Sequence, residues 1–287
     1  MNINNVAKER HLYSFTDEKG QYNTELESAL AEMEVVASKI FEKINKAEGP
    51  ILISAQEKSE LSYFLAMQVA RTPAFRDSLK QQAAEFAKLH MQMLVSNKDA
   101  FTHAVNEAKK EKPDMPDISF EEMQEFIFGE KYTIEMGNKN YFLKQAIQLG
   151  DHIYPTIMMK DMFILKSKSV EFITSDYPVA LIPHPGVPAF YGGGFLMSGI
   201  LIPIGTNTVL FCKNPDNPKE PQKKDEAISL GYREAPPVQV REVNKITINH
   251  AERFLFAASN DVKIKELFDK TTIPKRFYMD SPFSRKK

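Results

Sequence analysis
The sequence predicts an α+β protein, with a mostly helical N-terminal half packed against a small antiparallel β-sheet and C-terminal helices. Three observations carry that expectation. Between Glu25 and Gly150, apolar residues recur at helical spacing in four to six stretches. After Pro155 the character changes, and β-branched runs flank short polar turns. A chain of 287 residues that is 43% hydrophobic, with 20 Phe and 10 Tyr, can bury a sizeable core. A single α+β domain is expected over 1–287, mainly helical over 1–155, with β-hairpins and then helix over 156–287 and a disordered basic tail at 284–287.

The first helix starts at Asn23-Thr24 and carries Leu26, Leu30, Met33, Ala37, Ile40 and Ile44 on one face until Gly49-Pro50 stops it. The second runs from about Glu57 to Arg71. Its middle is apolar nearly all round, which places it in the centre of the protein. Thr72 reads as an N-cap and Pro73 as the first position of a third helix, because proline disfavours helix before it and suits a helix start. That helix continues to about Asn97 with Phe75, Leu79, Ala83, Phe86, His90, Met93 and Leu94 as its inward stripe. A fourth occupies Lys98 to Glu111, Ser119 opens another toward Gly129, and Asn140 to Gly150 is helical.

Two hairpins follow. Phe163–Leu165 and Val170–Thr174 flank Lys166-Ser167-Lys168-Ser169, and Ile200–Ile202 and Thr208–Cys212 flank Gly205-Thr206-Asn207. Asn214 to Lys224 is a solvated loop, and Val240 to Ala258 fits a helix through Val243, Ile246, His250, Phe254 and Ala258.

Composition excludes several functions. With 37 Lys plus Arg against 38 Asp plus Glu, the net charge of -1 creates no global field toward nucleic acid or an anionic membrane. Met1–Arg10 carry no apolar signal segment, and Phe195–Phe211 is too short and too broken to span a bilayer. The single Cys212 sits in an apolar run, which suits a buried structural thiol and a reducing cytoplasm. No Walker loop, paired-histidine zinc helix or Gly-x-Ser-x-Gly elbow is present, and Gly192-Gly193-Gly194 lacks the spacing of a dinucleotide fingerprint.

Polar residues in unexpected places remain. Glu27 and Glu34 align on one flank of the first apolar stripe, ~10 Å apart along the axis. They are either solvated border charges or ligands. Gln68 lies in line with Leu61, Leu65 and Thr72, where an amide needs a partner, either within the core or on a substrate or metal-bound water. Arg71 stands just before the Thr72-Pro73 helix start, where amide groups and the helix dipole favour an anion. It either holds a phosphate or pairs with Glu27 or Glu34 to lock two helices. Ser175-Asp176-Tyr177-Pro178 follows a strand, so Asp176 is either a rigidly held base or metal ligand, or a turn residue.

These residues resemble a bacterial domain-of-unknown-function family, number 4238. The resemblance rests on Asn5–Arg10 leading to Tyr13, on Glu27 and Glu34, on Gln68–Pro73 and on Ile173–Pro178, and it covers about Asn5 to Ser259. Members of that family are expected to carry a His-Tyr-Val-Pro-like element upstream, which the chain's first residues do not contain, and Asn where Tyr177 stands. The resemblance implies no activity. It marks Glu27, Glu34, Arg71 and Asp176 as the residues to follow.

Two functions are expected from different classes. In the first, a hydrolase-like enzyme acts on a phosphate-containing substrate such as nucleic acid. Asp176 with Glu27 or Glu34 holds a divalent metal, and Arg71, Gln68 and Ser175 bind substrate. In the second, a non-catalytic binding or regulatory protein uses the same residues as a structural ion-pair network. A protein partner is a third, weaker expectation, marked by an exposed apolar patch.

Overall fold
A computed structural model describes residues 15–16, 22–129, 132–134, 139–182, 198–216, 227–259 and 262–271. The upstream segment around Asn5–Tyr13, the Gly192–Gly194 run, most of the Asn214–Lys224 loop and the basic tail lie outside the described residues. The chain divides into two compact units, residues 1–72 with 140–287, and residues 73–139.

The fold is α+β. In the first unit, helices α1 (Glu25–Asn45) and α2 (Ala55–Ala70) precede all but the first strand of the main sheet in sequence and pack on it. The short strands β1 (Phe15–Thr16) and β2 (Tyr22–Asn23) pair antiparallel, and Asn23 Oδ1 accepts the Glu25 amide at 2.8 Å where α1 begins. Leu30, Ala37, Ile40 and Ile44 are its buried face. Ser54 and Glu57 form a reciprocal capping box at the start of α2. Leu61, Leu65 and Ala66 are fully buried there, as an all-round apolar helix requires.

Helix α6 (Lys139–Met158) is longer than the sequence suggested and runs through Pro155. A Cβ at Gly150 would stand 2.4 Å from Met67 Sδ, so the bare glycine allows α6 to approach α2 closely.

Strands β3 (Ile51–Ile53), β4 (Asp161–Lys166), β6 (Ala180–Ile182), β7 (Gly199–Gly205), β8 (Thr208–Lys213) and β9 (Ile228–Glu234) form a six-stranded sheet in the order β3-β9-β4-β8-β7-β6. It is antiparallel except for the parallel pair β4 and β9. The β7–β8 hairpin is as expected. The hairpin expected at Lys166–Ser169 is not formed. β4 pairs instead with β8 and β9, and Val170–Ile173 leaves the sheet. Asn244 draws that segment away: its Oδ1 accepts the Ile173 amide at 3.1 Å and its Nδ2 donates to the Glu171 carbonyl at 3.0 Å. Only β5 (Thr174–Ser175) remains extended, paired with β10 (Leu255–Phe256).

Alternation along the strands separates two cores. Ile164, Ile200, Ile202, Leu210 and Cys212 face α1, α2 and α6. Leu165, Leu201 and Val209 face helix α7 (Pro237–His250). The expectation that helix continues to Ala258 is corrected. α7 ends at His250, and Ala251 turns to extended backbone so that Leu255–Phe256 can pair with β5. A further helix, α8, spans Val262–Lys270.

The second unit holds α3 (Pro73–Leu94), α4 (Lys98–Glu111) and α5 (Phe120–Phe128). Val95, Phe101 and Ile127 are its buried centre. Ser119 and Glu122 form a full capping box at the start of α5. Phe86 (75% exposed) and Met93 (65% exposed) do not face inward as expected. The helices α4 and α5 are much shorter than α3, and Met91 and Val95 meet them instead.

Candidate functional site
Arg71 caps the C-terminus of α2, and its Nη2 donates to Glu34 Oε1 on α1 at 2.9 Å. The arginine side chain is only 10% exposed while Glu34 is 51% exposed, so the pair sits at the lip of the α1–α2 seam with its cationic side inward. This is the helix-locking arrangement of the two that the sequence left open. Glu27, two turns earlier on α1, is half-buried. Gln68 is half-buried too and stands off the centre of the α2 core face, which belongs to Leu61, Leu65 and Val69. Thr72 donates its hydroxyl back to the Val69 carbonyl at 3.2 Å.

Asp176 belongs to a different arrangement. Its Oδ1 accepts the Glu252 amide and its Oδ2 the Arg253 amide, each at 2.9 Å, and its own amide donates to the Phe254 carbonyl at 3.2 Å. The carboxylate thereby clamps the β5 turn onto the segment that leaves α7. Ser175 is buried. Its hydroxyl donates to the Tyr177 carbonyl at 2.8 Å and accepts the Tyr177 amide at 3.1 Å, a side-chain-closed turn. The Tyr177 ring lies 6.1 Å from the ring of His250, whose Nδ1 is bonded to the Ile246 carbonyl.

The structure thus brings Glu34 to Arg71 and Ser175 to the Asp176 turn, and it ties these two groups to different elements, α1 with α2 and β5 with the α7 exit. Among the described residues no three His, Cys, Asp or Glu side chains stand together as a metal-holding group.

A family model described as a protein of unknown function, DUF4238, matches residues 1–261. The chain belongs to the DUF4238 family. No curated protein and no solved structure matches it.

Sequence reasoning passed over several polar residues of this DUF4238 protein that the fold buries. Lys166, 3% exposed, donates from Nζ to the Asn45 carbonyl at the C-terminus of α1, where a cation complements the helix dipole. Lys160, 1% exposed, donates to Asn214 Oδ1, and burial holds its ammonium below the usual lysine range. Cys212 is fully buried. Burial pushes its thiol up to about 12, against the opposing pull of Lys160 and Lys58. A lysine in a strand such as β4 alternates with its neighbours and reads as solvent-facing, so no local signal marks Lys166 as buried. Among the described residues no helix is long and apolar enough to cross a membrane.

Proposed function
We propose that this DUF4238 protein is a non-catalytic binding or regulatory protein, in which Glu34, Arg71, Ser175 and Asp176 hold the fold together. The observation that carries the reading is the engagement of Asp176. Both carboxylate oxygens accept backbone amides of the same two-residue stretch, Glu252-Arg253, which fixes the side chain as a clamp between elements. The Arg71–Glu34 bond supports it in the same sense. The hydrolase reading needs Asp176, Glu27 or Glu34, and Arg71 around one phosphate. Arg71 and Glu34 are instead tied to each other across α1 and α2, and Asp176 to the segment that leaves α7. The protein works in a reducing cytoplasm of a bacterium on this reading, which the buried and chemically quiet Cys212 supports.

The test is hydrolysis of bis-p-nitrophenyl phosphate, ATP and short RNA and DNA oligomers with Mg²⁺ or Mn²⁺, beside thermal unfolding of Arg71→Ala and Asp176→Asn. The expected result is no metal-dependent turnover, with both variants less stable than the parent. Turnover by the parent that vanishes in variants of unchanged stability would restore the enzyme.

A further inference from the structure
On the α7 side of the sheet an open cavity of about 260 Å³ lies between strands β4, β7 and β8 and helix α7. Its walls are Phe163, Leu165, Leu201, Phe211, Val243 and Ile246. Phe163 and Phe211 are cross-strand neighbours, as are Phe211 and Leu201, so they form one continuous row. Two glycines make room for the rings of that floor. Gly231 is the β9 neighbour of Phe163, and a Cβ there would stand 2.4 Å from Cδ1 of the ring. A Cβ at Gly199 would stand 3.0 Å from Phe211 Cε2. The rings therefore lie across the glycine positions, and the space between sheet and helix stays open.

A concave opening over an apolar floor with a few polar groups at its rim has the form of a small-molecule site. Its volume lies just below the roughly 300–1,000 Å³ range of drug-sized ligand sites, which suits a smaller ligand.

The rim supplies the sign of the charge. Lys213 Nζ and Arg233 Cζ each lie 5.6 Å from the centroid of Phe163. Lys213 already holds both oxygens of Asp216, at 2.7 and 2.8 Å. Across the cavity Glu242 is paired with Lys245 at 2.7 Å. Among the described residues no carboxylate pairs with Arg233. Among the described residues Arg233 is thus a cation at this mouth without a carboxylate partner, and its planar fork suits a planar anion.

We propose that this cavity binds a small monocarboxylate with an apolar, ring-sized body, its body on the Phe163–Phe211–Leu201 floor and its carboxylate on Arg233. A single unpaired charge selects a monoanion over a phosphate dianion. The proposal goes beyond the binding reading by assigning a site and a ligand class. It uses none of Glu34, Arg71, Ser175 or Asp176, so the two stand or fall separately.

The experiment is calorimetric titration of the full chain with 3-phenylpropionate, indole-3-acetate and octanoate, each beside its uncharged amide, and with phenyl phosphate. At least one acid is expected to bind, with its amide and phenyl phosphate about tenfold weaker or worse. Arg233→Gln, at an exposed position, is expected to weaken the acid by about tenfold and leave the amide unchanged. Ile246→Trp, which fills the cavity from a half-buried position, is expected to abolish both, while Arg71→Ala binds as the parent does. Failure of all three acids, equal binding of acid and amide, a preference for phenyl phosphate, or an Arg233→Gln variant that binds normally overturns the assignment. Phosphodiester hydrolysis by the same preparation would overturn the non-catalytic reading and leave this site standing.

Discussion

At the scale of single residues, side chains with chemical potential are used as ties. Asp176 is the clearest case. An Asn in its place keeps the shape but turns one acceptor into an NH₂ donor facing a backbone N–H. Asp176→Asn is therefore expected to cost about 1–3 kcal/mol, read as a fall of roughly 2–4 °C in Tm per kcal/mol in thermal unfolding. A variant as stable as the parent would show that the clamp contributes nothing. Cys212 offers a second check. Its folded pKa is raised from the ordinary 9.0 to about 12, so the thiol's contribution to stability is fully present below pH 9 and is lost as pH rises toward 12. At neutral pH the thiol is buried and protonated, and Ellman's reagent is expected to titrate no thiol in the native protein and one after unfolding in guanidinium. The sequence singled out Asp176, Arg71 and Glu34, but it left each with two roles. Partners decide between roles, and the partners are 37 residues away for Glu34 and Arg71 and 76 and 77 away for Asp176.

At the scale of elements, caps and glycines set where helices begin and how near they come. Ser54 accepts the Glu57 amide at 3.0 Å while Glu57 accepts the Ser54 amide at 2.7 Å. Ser54→Ala is expected to cost about 1 kcal/mol and Ser54→Gly only a few tenths, compared by urea unfolding. Equal losses would mean that the serine hydroxyl is not the cap. The same box gives a pH dependence. Burial acts to raise the Glu57 pKa, but the hydrogen bonds from Lys43 and the Ser54 amide outweigh it and hold the carboxyl below its ordinary 4.5. A depressed carboxyl stabilises the fold above its unfolded pKa, and that contribution fades as pH falls through the lower folded value. Glu57→Gln is therefore expected to unfold less steeply with acid below about pH 4.5 than the parent. Helix starts with local chemistry were legible: α1, α2, α4 and the Pro73 start of α3 fall within a few residues of their expected bounds. The Val170–Thr174 run was misread because its β-branched composition suits a strand, while Asn244, far along the chain, supplies the hydrogen bonds that hold it out of the sheet.

At the scale of the whole molecule, the two units rest on separate cores of very different size. Residues 73–139 close around Val95, Phe101 and Ile127, whereas the sheet unit buries an apolar layer on each of its faces. Phe101→Ala is expected to remove about 3–5 kcal/mol from the smaller core. Hydrogen exchange should then quicken in α4 and α5 while β4 and β8 keep their protection. Faster exchange throughout would show that the units unfold as one. The near-neutral charge agrees with the proposal above, in which recognition is local rather than driven by a global field.

The sequence by itself determined the α+β class, the central all-apolar α2, the burial of Cys212 and the family, because periodicity, composition and short motifs are local properties of the chain. Only the tertiary structure decided that β4 pairs with β8 and β9, that α7 stops at His250, that Arg71 meets Glu34, and that Gly231 and Gly199 leave room above Phe163 and Phe211. Each of those outcomes is a contact between segments distant in sequence. Such contacts are set by which apolar faces can be buried together, and no local window of residues carries that information.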